Sequence, residues 1–219
     1  MGILSDKMMA LDNTLQLHNE GEWNGTPSTY SAFNSGGVEN EVGEFLYGML
    51  RMMKPEWVLE TGTHLGVGAS YMGMALKDNF KGNLETVEFI PELHEQAKER
   101  IGKMGLTDYV TCYLMDVANF PVQHNYQFIL LDTEPQTRFA EFLKFYPYLD
   151  EGGYIFIHDL GRGMQQMEIP NLGFGWPFGK MSEEMTQLMK DGKVRPFHFS
   201  TPRGITGLYK VSKEDYQYD

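Results

Sequence analysis

What this chain has little of narrows it first. One cysteine in 219 residues, Cys112, leaves no intramolecular disulfide. Set within a strand pattern, it reads as a small core residue rather than a reactive thiol. Long apolar runs are missing as well. The longest, such as Tyr154–Ile157 and Phe128–Leu131, are strand-length and too short to span a bilayer. The opening residues Met1-Gly2-Ile3-Leu4-Ser5-Asp6 offer no cationic start before an apolar stretch, so no secretory signal is expected there. Asp6 also stands where a myristoylation motif wants Ser or Thr. A reduced, cytoplasmic location is the expectation. Basic residues are scarce: 18 Lys and Arg face 30 Asp and Glu, a net charge of −12 with no Lys/Arg cluster. Such a surface repels phosphate backbones, which argues against nucleic acid as partner, and with no spanning segment no membrane partner is expected.

What is present is the composition of a globular protein, with 42% hydrophobic and 22% charged residues. The length suits one well-buried core, and no repeat, low-complexity tract or interdomain linker interrupts it. An N-terminal helix and lid-like segment over 1–37 and one compact domain over 38–219 are expected. Val42, Phe45, Leu46, Met49, Leu50 and Met53 share one helical face over Glu39–Met53, and Pro55 ends that helix. Strands are predicted at Trp57–Leu59, Leu84–Glu88, Tyr109–Met115, Tyr126–Asp132, Tyr154–His158, Val194–Ser200 and Ile205–Val211. Helices are predicted at Val67–Lys77, Pro91–Met104, Thr137–Tyr146 and Ser182–Lys190. Alternating strands and helices imply an α/β fold, a mostly parallel sheet covered on both faces. The last two strands are separated by little more than Thr201-Pro202-Arg203-Gly204. That is too short for a parallel crossover, so the seventh strand should be antiparallel.

The first strand runs into Glu60-Thr61-Gly62-Thr63-His64-Leu65-Gly66-Val67-Gly68-Ala69-Ser70. Gly62 and Gly66 allow close backbone approach to a ligand, and the helix that follows offers free N–H groups at its start. Glu88 ends the second strand, 22 residues beyond Gly66, where a carboxylate can grip ribose hydroxyls. Asp116 ends the third strand, with Phe89 and Val117 placed to flank a ring. A dinucleotide oxidoreductase fits less well. Its Gly-x-Gly-x-x-Gly spacing is not met by Gly62, Gly66 and Gly68, and Glu60 would repel a pyrophosphate.

Over roughly Val38 to Asp159 these residues resemble the class I S-adenosylmethionine-dependent methyltransferases, in the branch of small-molecule O-methyltransferases. The resemblance implies a Rossmann-like sheet of seven strands, the last antiparallel. It implies that Glu60, Gly62, Thr63 and Gly66 line the methionine half of the cofactor, with Ser70 adding a hydroxyl. Glu88 would hold the ribose and Asp116 the adenine, between Phe89 and Val117, with Asp132 also near the cofactor. His64 departs from the commonest pattern, which has glycine there, and is taken as a mark of the branch.

At the reacting end, Asp132 closes one apolar strand and His158-Asp159 the next, with Thr133, Glu134 and Arg138 nearby. In metal-dependent relatives such positions hold a divalent cation, which implies Asp132, His158 and Asp159 as ligands. A histidine departs from an all-oxygen magnesium site. Two options stay open: manganese, iron or magnesium bound here, or His158 acting as general base without metal. On either option the three residues are expected to converge near the transferable methyl. Two segments read as covers, 21–37 with Trp23, Tyr30 and Phe33, and 161–180 with Phe174, Trp176 and Phe178. Their aromatics suit a sugar or natural-product acceptor, or else bury a homodimer interface. The expected activity is methyl transfer to a small-molecule hydroxyl. A catalytically silent module binding S-adenosylmethionine or S-adenosylhomocysteine is the alternative. A nucleic-acid methyltransferase is disfavoured by charge and by Asp132-Thr133-Glu134-Pro135, which lacks an Asn/Asp-Pro-Pro-Tyr-like sequence.

Overall fold

The computed structural model describes residues 2–19, 30–34, 36–159, 184, 187–199 and 203–217. Trp23, Phe174, Trp176, Phe178 and residues 182, 183, 185 and 186 of the predicted 182–190 helix lie outside them. The chain divides into two compact units, Met1–Phe120 and Pro121–Asp219. Among the described residues, no helix is long and apolar enough to cross a membrane.

The first unit opens with helix α1 (Ile3–Leu11) and a two-residue antiparallel pair, β1 (His18–Asn19) with β2 (Ser31–Ala32). Phe33, read from sequence as part of a cover, is buried against this unit's core. Helix α2 (Asn40–Met53) buries Val42, Leu46 and Leu50 at four-residue intervals, the stripe that its periodicity predicts. It stops where Lys54 turns left-handed at φ 50°, just before Pro55. Helix α3 (Val67–Asn79) is buried continuously from Val67 to Leu76. Gly43 of α2 lies against Tyr71 of α3 so closely that a Cβ there would stand 2.3 Å from the ring. The Tyr71 hydroxyl reaches back to Asn40 Oδ1 at 2.6 Å.

Strands β3 (Trp57–Thr61), β4 (Asn83–Glu88) and β5 (Val110–Leu114) pair in parallel, with helix α4 (Pro91–Lys103) crossing between the last two. Nearly every residue of β3 and β4 is buried, as expected for strands covered on both faces, whereas β5 is only partly buried.

In the second unit, β6 (Tyr126–Leu131) runs parallel to β7 (Leu149–His158), and helix α5 (Arg138–Phe145) connects them. Strand β7 starts five residues before the predicted Tyr154. Gly152 and Gly153 read as a turn, but they sit in a register irregularity where Tyr126 already pairs with Leu149. Strands β8 (Val194–Phe199) and β9 (Ile205–Lys210) form the expected antiparallel hairpin.

The strands lie in the order β5-β4-β3 in the first unit and β6-β7-β9-β8 in the second, with helices beside them. In the second unit, β9 runs antiparallel to both of its neighbours, β7 and β8. It is the last strand in sequence but pairs between β7 and β8, not at the rim. Pro196 in β8 accounts for the edge position, since proline cannot donate to an inner ladder.

Candidate active site

The loop between β3 and α3 is compact because three of its residues take left-handed backbone: Gly62 at φ 82°, His64 at 48° and Gly66 at 77°. At Gly66 a Cβ would meet the Ala97 backbone and Cβ at 3.1 Å, so glycine is required twice over. Gly62 and Thr63 N–H both donate to Val87 O, at 2.9 and 3.2 Å.

Glu88 completes the anchoring. Its Oε2 accepts His64 N–H at 2.8 Å, and its Oε1 accepts Phe89 and Ile90 N–H at 3.0 and 2.9 Å. The expected ribose ligand is therefore also the clamp that shapes the loop.

Glu60 is buried and accepts from Thr86 Oγ1 at 2.6 Å. Thr86 has one proton, already given to Glu60, so the 2.5 Å contact with Thr63 Oγ1 is donated by Thr63. The other Glu60 oxygen lies 2.4 Å from where a Cβ on Gly68 would be, so Gly68 leaves the carboxylate room at the first turn of α3. A carboxylate is favourable there, beside the positive end of the helix.

Two predicted contacts turn inward. Ser70 is fully buried and donates to Gly66 O at 2.6 Å, and the Thr63 hydroxyl is committed to Thr86. Phe89 is 65% exposed, as a ring shelf would be, while Val117 is buried. Asp116 is exposed and accepts Ala118 N–H at 2.8 Å, capping the short turn Val117–Asn119.

One support went unread in the sequence. Buried Asp12 pairs with Arg100 Nε and Lys103 Nζ, each at 3.3 Å, and Arg100 Nη1 donates to Leu65 O inside the loop. Burial tends to raise the Asp12 pKa, but hydrogen bonds from Thr14 and the Lys103 ammonium hold it below the usual value. Nothing local signals this pairing, because Asp12 and Arg100 stand 88 residues apart.

In the second unit, the three residues expected at the reacting end do come together. Asp132, His158 and Asp159 each place one ligand-type atom within 4.8 Å of the others. His158 Nδ1 lies 2.9 Å from Asp132 Oδ1 and 3.7 Å from Asp159 Oδ1. A carboxylate can only accept, so Nδ1 carries the proton toward Asp132.

Two arginines share the cluster. Arg138 Nη2 is 3.2 Å from both Asp132 Oδ1 and Asp159 Oδ2. Its Nε donates to Thr133 O at 2.8 Å and its Nη1 to His158 O. Arg203 grips Asp159 at both oxygens, Nε to Oδ1 at 2.6 Å and Nη2 to Oδ2 at 2.9 Å. Burial tends to raise the Asp159 pKa, yet His158 and the two guanidiniums more than offset it, and the pKa falls to about 2. Asp159 itself is left-handed at φ 56°, a conformation that aspartate tolerates better than most residues.

This donor set does not fit a divalent cation. Asp132 Oδ1 and Asp159 Oδ2 already face guanidinium and imidazole donors, and two arginine charges lie beside them. Arg138 had been read as nearby polarity and Arg203 only as part of a connection. Neither has a sequence signal for this role.

With this geometry in place, the comparisons are informative. Residues 59–160 match a protein family described as a methyltransferase domain. No curated protein matches the sequence. Among solved structures, the O-methyltransferase TomG of Streptomyces achromogenes, which is involved in tomaymycin synthesis and was solved with SAM, is 16% identical. It aligns with a TM-score of 0.69 over 97% of this chain and 91% of its own. An O-methyltransferase of Bacillus cereus, in complex with SAH, is 15% identical, with a TM-score of 0.69 over 96% and 92%. A Podospora anserina methyltransferase bound to SAH is 16% identical, with a TM-score of 0.65 over 95% and 96%. At these identities the likeness establishes the fold. Residues 59–160 thus match a methyltransferase domain, and the chain shares the fold of these O-methyltransferase structures.

Proposed function

We propose that this methyltransferase moves the methyl group of S-adenosylmethionine to a hydroxyl of a small molecule. The observation that carries the reading is the glycine-shaped loop after β3, flanked by buried Glu60 and Glu88, at the start of the matched domain. Buried Glu60 suits the ammonium and sulfonium charges of the cofactor. Glu88 has one lone pair left, on Oε2, for a ribose hydroxyl after its three backbone bonds. Asp116 takes the adenine amino group, and exposed Phe89 offers its ring as a shelf.

The reaction is a displacement in which the acceptor oxygen attacks the methyl carbon and sulfur departs as a neutral thioether. The acceptor proton must go to a base. His158 takes it at Nε2, with Asp132 fixing the ring through Nδ1 and stabilising the imidazolium. Help of this kind is worth roughly 100- to 10,000-fold in rate. A small hydroxylated acceptor, sugar or natural-product-like, fits an acidic protein better than nucleic acid.

The test is calorimetric titration of S-adenosylmethionine into the full chain, expected to show one site. Glu88→Ala should weaken binding by about 1.5–3 kcal/mol. It should also lower stability, because three backbone N–H groups lose their acceptor. No heat of binding in the folded wild-type chain would sink the proposal. Turnover to S-adenosylhomocysteine should then appear in a screen of hydroxylated metabolites and collapse in His158→Ala. Binding without turnover on any acceptor would instead favour the silent cofactor-binding module.

A further inference from the structure

We infer that the acidic–histidine cluster of the second unit is built around Arg138 as a fixed cation in the place a divalent metal would take. This rests on the proposed methyl transfer only for its role in the reaction; the charge arrangement stands by itself. Arg138 Nη2 sits 3.2 Å from Asp132 Oδ1 and 3.2 Å from Asp159 Oδ2, bridging the two carboxylates. A cation bound to both oxygens, at about 2.0–2.6 Å from each, would need that same gap.

The guanidinium is not free to swing aside. Its Nε and Nη1 hold the carbonyls of Thr133 and His158, just past β6 and at the end of β7, and the residue is buried. Moving it would strip those carbonyls of their donor and leave a buried cation without its partners, each costly in a dry environment.

Arg203 lies on the other side, donating from Nη2 to Asp159 Oδ2 at 2.9 Å with Nε 2.6 Å from Oδ1. Charge bookkeeping agrees, since two carboxylates already face two guanidiniums. A further double charge would meet net repulsion rather than a vacant acidic site. The consequence for the chemistry is that the acceptor hydroxyl is not acidified by a metal at these residues. Its proton leaves to a base, and Arg138 helps hold Asp132 where it orients that base.

Titration of the full chain with Mn²⁺, followed by electron paramagnetic resonance, tests this without turnover. Wild type is expected to take up no stoichiometric Mn²⁺ at sub-millimolar concentration. Arg138→Gln, which removes the charge while keeping much of the shape, should gain Mn²⁺ affinity by about tenfold or more, and Asp159→Asn in that background should abolish the gain. If Arg138→Gln fails to fold, Arg138→Met offers the same neutralisation with an apolar stem. One Mn²⁺ per wild-type chain, lost in Asp132→Asn, would overturn the inference. So would a folded Arg138 variant that still binds no Mn²⁺, since the arginine would then not be standing in a metal's place. Failure to bind S-adenosylmethionine would instead strike the proposed function and leave this titration readable.

Discussion

Glu88 and Asp159 are both carboxylates at strand ends, and both look from sequence like groups waiting for a ligand. In the fold each already has three or more donors, backbone N–H groups for Glu88 and arginine side chains for Asp159. Sequence position signals that such a residue is polar and well placed, but not how many of its lone pairs are spoken for. Cys112 shows the converse, a residue whose bland reading holds. Burial first, and the nearby Glu60 charge second, push its thiol up to about 12. At pH 8 that leaves on the order of a thousandfold less thiolate than an ordinary cysteine. The folded chain should therefore react with a thiol reagent far more slowly than the same chain in denaturant. Comparable rates in the two states would show the thiol to be accessible and ionised.

Elements were legible where their signals are local. The α2 stripe, the proline at the start of α4 and the short link between β8 and β9 all appear within a few residues. Boundaries were less so. The early start of β7 depends on pairing with β6, which overrides the turn character of Gly152-Gly153. The contact of α2 with α3 is another long-range fact, since no spacing announces that Gly43 meets Tyr71. Gly43→Ala should lower stability by about 1–3 kcal/mol through overpacking, despite alanine's better helix propensity. Urea unfolding measures this, and a midpoint equal to or above wild type would mean that the helices have room to spare.

At the scale of the whole molecule, pH should reveal the buried charge cluster. Asp159 has a folded pKa of about 2, below its ordinary 3.8. A depressed carboxylate pKa stabilises the fold above the unfolded value, and that contribution is lost as pH falls through the folded value. About 2 kcal/mol should therefore be present above roughly pH 4 and disappear toward pH 2. In Asp159→Asn this pH-dependent part is absent. The stability gap between wild type and variant, taken from urea unfolding, should be wide at pH 6 and shrink by pH 2.5. A gap independent of pH would show that the carboxylate is not held in its charged form by its arginines.

The sequence alone determined the α/β alternation, the antiparallel last strand, the glycine-rich loop and the acidic strand ends, because each is encoded within a turn or a strand's length of chain. Tertiary structure decided what those groups touch. Arg203 reaches Asp159 across 44 residues and Arg100 reaches Asp12 across 88. A buried charge takes whichever partner the packed fold delivers, at whatever separation along the chain. It was this long-range delivery of two arginines that set cations against the acidic strand ends.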